Sequence, residues 1–345
     1  MDTDTFLQLL KENQESFLIP GELLNKGGPK DYVGMTVAMT GTLFFRDSYR
    51  PEVRRALFEC FQEWEALARP HLKWLWVEGL QGPVRYDRAP PLDLLLNEEP
   101  ALSLGYYAGE QPHDASQWHF MVLGKADWEA KLGRGPDVVR FSMPFLYAQE
   151  HPRAFQQLFV SFARRLKAIH GLGGFGFVLS PTRESKNHPA EAAFSVKMHG
   201  AEAGNPFGMT RYADAGIKSV SWLTALGTEL LEKLDGVDGI RGDLPPLWYA
   251  YYDYGAGVVI QAGNEPDIGP ADDDTLPVLY VLANAALRSV RAPEIGAFHQ
   301  QLDGGRFTLA SQETARWLRR FDTEDLAEYQ ARLQQVPKLK AAHRL

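Results

Sequence analysis

Hydrophobic positions recur in two closely similar segments, FFRDSYRPEVRRALFECF at residues 44–61 and FLYAQEHPRAFQQLFVSF at residues 145–162. With Pro51 placed over Pro152, Phe44 falls on Phe145, Leu57 on Leu158, Phe58 on Phe159 and Phe61 on Phe162, all at an offset of 101 residues. Each segment predicts a strand, a short turn, a helix opened by proline, and then a further strand. Proline suits the first helical position because its missing N–H is one the helix leaves unbonded there. In the first helix Val53, Leu57, Cys60, Phe61, Trp64 and Leu67 recur at three- and four-residue spacing, which gathers them on one buried face. The second repeats the pattern with Phe155, Leu158, Phe159, Phe162, Leu166 and Ile169. HLKWLWVEG and GGFGFVLS, which follow the two helices, have the aromatic and β-branched content of strands. Duplication or convergence would both produce this pattern.

SQWHFMVLG predicts another strand, extending the first sheet. In the segment 213–236, Ile217, Val220, Leu223, Leu226, Leu230, Leu231 and Leu234 predict a helix stopped by Asp235-Gly236. After a turn at Pro245-Pro246, WYAYYDYGAGVVIQAG reads as a hairpin turning at Tyr254-Gly255-Ala256-Gly257. The loop NEPDIGPADDDTLP then leads to a helix near Val278 to Val290, and WLRRF and DLAEYQARL read as short helical segments. The end, VPKLKAAHRL, reads as a frayed basic tail at 336–345. No low-complexity stretch or long polar linker divides the chain. The expected fold is therefore α+β, largely antiparallel sheets with packed helices, built on a duplicated strand-helix-strand unit. It forms one domain over 1–330, with sub-units at about 30–135 and 136–235 and a C-terminal part at 236–330.

Composition narrows the function classes. Of 345 residues 45% are hydrophobic, enough to fill a sizeable core, and 36 Lys and Arg against 44 Asp and Glu leave a net charge of -8. That charge gives no electrostatic case for nucleic acid and favours a basic partner. A single cysteine, Cys60, cannot form an intramolecular disulfide, which fits a reducing compartment. The first twenty residues mix apolar with charged positions and lack a basic n-region, and no apolar run approaches membrane-spanning length. A cytoplasmic protein is the expectation.

Catalytic signatures are missing. GLGGFG at 171–176 has the letters of a dinucleotide fingerprint, but a helix precedes it and a strand follows, so a glycine-rich turn is the better reading. The histidines, among them His113, His119, His188 and His199, form no HExxH, and no serine sits in GxSxG. His151 reads as the residue that opens a helix before Pro152. Cys60 lies in an apolar stripe and reads as structural. No metal and no cofactor is expected. The EAAFSVK segment pairs Glu191 with Lys197 in a weak echo of nuclease strands, so a hydrolase assembled from Glu191, Lys197 and His199 is the rival reading. Two features suit a protein partner: the acidic loop with Asp267, Asp272, Asp273 and Asp274, and Asp253 with Tyr254 and the neighbouring tyrosines.

Taken in order, FFRDSYRPEVRRALFECF, SVSWLTALG, GVVIQAGNEPDIG, VLYVLANAALRSVRAP and RWLRRF resemble the type VI secretion immunity family (TsiV-like) over roughly residues 35 to 321. The resemblance implies a protein without enzyme activity that binds and neutralises a cognate antibacterial toxin, often a nuclease, encoded by the adjacent gene. Within it, Trp222 and Gly263 read as fold positions, an aromatic in a helix and a glycine in a turn. An acidic surface could occupy a cationic substrate groove and speed association. The family supplies no contact residues. An effector chaperone is a further alternative, distinguished by contact with many effectors.

Overall fold

The segment VGMTVAMTGTLFF alternates side chains with a period of two, and every residue from Gly34 onward is buried. A strand covered on both faces must lie inside a sheet. In the computed structural model, which describes residues 18–21, 32–80, 82–269, 276–300 and 307–345, it does. This strand, β2 (Val33–Phe45), follows β1 (Leu18–Pro20) and has β7 (Asp137–Met143) on one side and β8 (His170–Leu179) on the other. From β7 the sheet continues through β6 (His119–Gly124), β5 (Leu102–Tyr107) and β3 (Trp74–Val77) to β4 (Val84–Arg85). From β8 it continues through β9 (Leu223–Gly227) and β11 (Gly257–Ala262) to β10 (Tyr249–Asp253) at the edge. Neighbouring strands are antiparallel throughout, and β1 lies against β2. The result is an α+β fold on one 11-stranded sheet.

Two helices cover one face, α1 (Pro51–Ala68) and, after α2 (Leu92–Glu98), α3 (Asp127–Lys131) and α4 (Phe145–Glu150), the helix α5 (Ala154–Leu166). Leu57, Cys60, Phe61 and Trp64 of α1 and Phe155, Leu158, Phe159 and Phe162 of α5 are buried, as their spacing predicts. Burial raises the Cys60 thiol well above its usual pKa. Trp64 is fully buried beside Phe61, Trp118 and Phe120, and its indole N–H donates to the Ser142 carbonyl at 2.9 Å. A Cβ on Gly41 would come within 2.4 Å of the Phe141 ring, so bare backbone there lets the ring lie across β2.

Several expectations change. The segment 213–236 is not one helix: Leu223–Gly227 is strand β9, joined to both β8 and β11, and only α7 (Thr228–Glu232) is helical before Asp235. Residues 216–227 are buried without a polar side, and such a run has no periodicity to separate strand from helix. Asp235-Gly236 begins a helix, α8 (Gly236–Asp243), instead of ending one. Trp222, expected in a helix, lies just before β9, whereas Gly263 does sit in a bend, at φ 82°. GLGGFG is not a turn but the middle of β8, where a Cβ on Gly173 would meet the Phe159 ring at 2.9 Å. The order strand-helix-strand occurs twice, but Phe44 lies in β2 while its counterpart Phe145 opens α4, and α5 starts only after Pro152 and Arg153. His151 accordingly ends α4.

The tail is not frayed. Its backbone is bound along its length: Leu339 N–H donates to Leu247 O, Lys340 N–H to the Asn264 side chain, and the His343 carbonyl accepts from Gln156 and Gln261. Basic composition suggested exposure, but the backbone, not the lysines, docks this segment.

Replacing Trp64 with alanine removes the largest side chain between α1 and the sheet and the indole hydrogen bond to the Ser142 carbonyl. A loss of about 3–5 kcal/mol of stability is expected, read from urea unfolding; a loss below about 1 kcal/mol would contradict this packing.

Candidate partner-binding surface

The opposite face of the sheet carries more polar side chains, with Phe44 and Tyr107 among them. Thr40, Arg140, Ser142 and His119 are buried there under α6 (Glu184–Ser195), the chain that follows it, and the last helices, α9 (Val278–Ala286), α10 (Ser311–Leu318) and α11 (Leu326–Arg332). Several charges in this layer are matched internally. Lys218 pairs with Glu202 and lies over the rings of Phe298 and Trp317, at 4.5 and 5.0 Å from their centroids. Arg320 stacks on Trp317 at 3.5 Å and donates to the His199 carbonyl at 2.6 Å. Arg291 forks onto the Asp322 carboxylate at 2.7 and 2.9 Å.

Glu191 belongs to this layer. Its carboxylate accepts from Gly204 N–H at 2.8 Å and faces Nε2 of His299 at 2.6 Å, with 1% and 2% of the two residues exposed. Leu309 N–H donates to Nδ1 of His299 at 2.9 Å, so the proton sits on Nε2 and points at Glu191. His188 stacks on the ring of His299 at 4.1 Å. EAAFSV lies on α6 and the turn after it, not on a strand, and Lys197 beyond is exposed. His199 is half-buried, with a pKa lowered by burial and by Arg320. Glu191 and Lys197 therefore line no common cleft, and no group of three His, Cys, Asp or Glu among the described residues could hold a metal ion.

The expected contact residues divide. Asp253 is exposed at the end of β10, and its carboxylate accepts from Gly255 N–H at 2.7 Å, shaping the hairpin turn. Tyr254 lies inside: it is 2% exposed and its hydroxyl donates to the Ala168 carbonyl at 2.7 Å, so its ring serves the fold. The other hairpin tyrosines are held as well, with Tyr249 donating to Leu279 O, Tyr251 to Leu244 O and Tyr252 to the Gln261 side chain. Asp267 is exposed beyond the far end of β11, where its carboxylate accepts from Gly269 N–H at 2.8 Å. Asp253 and Asp267 thus stand at opposite ends of the hairpin. Asp272, Asp273 and Asp274 lie outside the described residues.

One exposed pair escaped the sequence reading. Trp128 and Leu132, 56% and 66% exposed, project from α3 and its end, and the Arg134 guanidinium lies 4.9 Å from the Trp128 ring centroid. Their four-residue spacing is the signal of a buried helical stripe, which hid them.

The family model TsiV, described as type VI immunity for VRR-NUC, matches residues 56–321. The chain belongs to the TsiV family. A solved structure of this kind, Pseudomonas aeruginosa T6SS protein PA0821, is similar over 100% of this chain and 99% of its own, at 38% identity and a TM-score of 0.90. No curated protein matches. Among the described residues of this TsiV chain no helix is long and apolar enough to cross a membrane.

Buried histidines make the fold sensitive to acid. His170 is buried and its Nε2 faces the Ala213 carbonyl at 2.6 Å; burial pushes its pKa from 6.5 down to about 4 despite that hydrogen bond. Between those values the unfolded chain holds the proton and the native chain does not, so stability falls as pH falls. Burial alone would raise the Glu191 pKa, but the hydrogen bonds from His299 and Gly204 prevail and lower it, so its contribution is lost at still lower pH. The urea midpoint should decline steadily from about pH 6.5 to about pH 4; a flat profile over that range would contradict the burial of these groups.

Proposed function

We propose that this protein binds a cognate VRR-NUC toxin one to one in the cytoplasm of the producing cell and neutralises it by covering its active site. The observation that carries the reading is the TsiV match, described as type VI immunity for VRR-NUC, across residues 56–321. The likeness to a Pseudomonas aeruginosa T6SS protein along the whole chain supports it. So does chemistry. A nuclease groove is cationic because it holds phosphates, and a net charge of -8 favours approach to such a groove.

Inhibition by coverage needs a rigid, complementary surface and no reactive group of its own. The inward pairing of Glu191 with His299 and of Lys218 with Glu202 fits a protein that uses its ionisable side chains for stiffness. The toxin is encoded by the adjacent gene on this reading. The acidic stretch Asp272, Asp273 and Asp274, with Asp267, supplies negative charge to the contact.

Co-expression with the neighbouring toxin tests the proposal: cells should survive and the two proteins should purify together, and death of the cells without co-purification would reject it. Reversing the charge of Asp272, Asp273 and Asp274 together should weaken the complex about tenfold or more at low salt, measured by titration calorimetry; unchanged affinity would exclude that loop from the interface.

A further inference from the structure

The inference rests on the toxin-binding reading and names the element that docks. Strand β10 ends the sheet, and among the described residues it pairs only with β11. Tyr254 N–H donates to Gly257 O at 3.0 Å and Gly263 N–H to Trp248 O at 2.9 Å. In an antiparallel ladder this assigns residues 248, 250, 252 and 254 to the bonds with β11. Tyr249, Tyr251 and Asp253 therefore turn their N–H and C=O groups outward. Tyr249 N–H is taken by Pro245 O at 3.2 Å, and Asp253 C=O faces Arg164 at 3.4 Å. The N–H and C=O of Tyr251 and the N–H of Asp253 bond to no other group among the described residues.

Such an edge is a template for another strand, and proteins commonly blunt it with proline or lysine. The sequence YAYYD has neither. Two grooves meet at this edge, one on each face of the sheet, and Tyr251 and Asp253 border both. Arg153, Val160 and Arg164 of α5 and the turn before it line the groove on the face covered by α1 and α5. Leu231, Val237 and Val258 line the other. An added strand sends alternate side chains to opposite faces, one set into each groove. Arg153 and Arg164 are exposed and have no carboxylate within ion-pair distance among the described residues, while the opposite groove offers the aliphatic walls of Leu231, Val237 and Val258 and an arginine, Arg241, already paired with Asp238.

We propose that the toxin docks by adding an extended strand to β10, with acidic side chains toward Arg153 and Arg164 and apolar ones toward Leu231, Val237 and Val258. The backbone supplies the hydrogen bonds and the two unlike grooves fix which face of the incoming strand turns which way. This contact uses the edge groups of Asp253, and its carboxylate stays with the Gly255 turn.

Amide hydrogen exchange, resolved to single residues on the intact protein with and without the VRR-NUC toxin encoded beside it, tests the proposal. The Tyr251 and Asp253 amides should exchange fast in the free protein and at least about tenfold more slowly in the complex, with Ala250 and Tyr252 slow in both. A complex with unchanged exchange at Tyr251 and Asp253 overturns strand addition and leaves toxin binding standing; no complex overturns both. Protection that grows with the concentration of this protein alone assigns the edge to a second copy and overturns the toxin as its occupant. Asp253→Pro, which removes an outward N–H where an edge strand tolerates proline, should weaken binding at least about tenfold, and Asp253→Asn, which keeps the N–H and the turn acceptor, should not. Equal loss in both variants would place the effect in the carboxylate and overturn the proposal.

Discussion

Everything in this fold depends on β2 being hydrogen-bonded on both edges and buried on both faces. Its thirteen residues pair with β8 from Met35 to Phe44 and with β7 from Met39 to Phe45. A strand so placed exposes none of its backbone ladder to water, and slipping it by one residue would exchange its faces. Met35, Val37, Met39, Leu43 and Phe45 would then leave the aromatic layer for the polar one. The register is thereby fixed, and with it the positions of both halves of the sheet.

The two faces solve burial differently. Under α1 and α5, rings from both helices and the sheet interlock, and glycines at 41 and 173 give them room. Under α6 the layer is polar, and its groups are paired across segments distant in sequence, the Glu191 carboxylate with the His299 N–H and Lys218 with Glu202. Buried pairs of this kind contribute little net stability but penalise rearrangement, because separating them leaves a charge without a partner. A surface held by such a layer changes little on binding, which suits an inhibitor that works by fit.

The helical face was legible in the sequence because three- and four-residue spacing from Val53 to Leu67 has one explanation. The strand β9 was not, since Leu223 to Gly227 is buried on every side and its leucines happen to fall at helical spacing. The docked tail was invisible for another reason: most of its hydrogen-bonding anchors are backbone groups, and sequence patterns report side chains. Aspartates at 253 and 267 could be recognised as exposed, but their separation by the length of a hairpin required the pairing of β10 with β11. Family membership was more legible than the interface, because recurring core and turn patterns identify a fold, whereas a partner contacts the surface between them.

The central claim is neutralisation by stoichiometric cover. The most direct measurement is the nuclease activity of a fixed amount of the purified cognate toxin as this protein is added. Activity should fall linearly and reach zero at one equivalent, well above the dissociation constant. Full activity at several equivalents, or complete loss at a small fraction of one, would contradict the account.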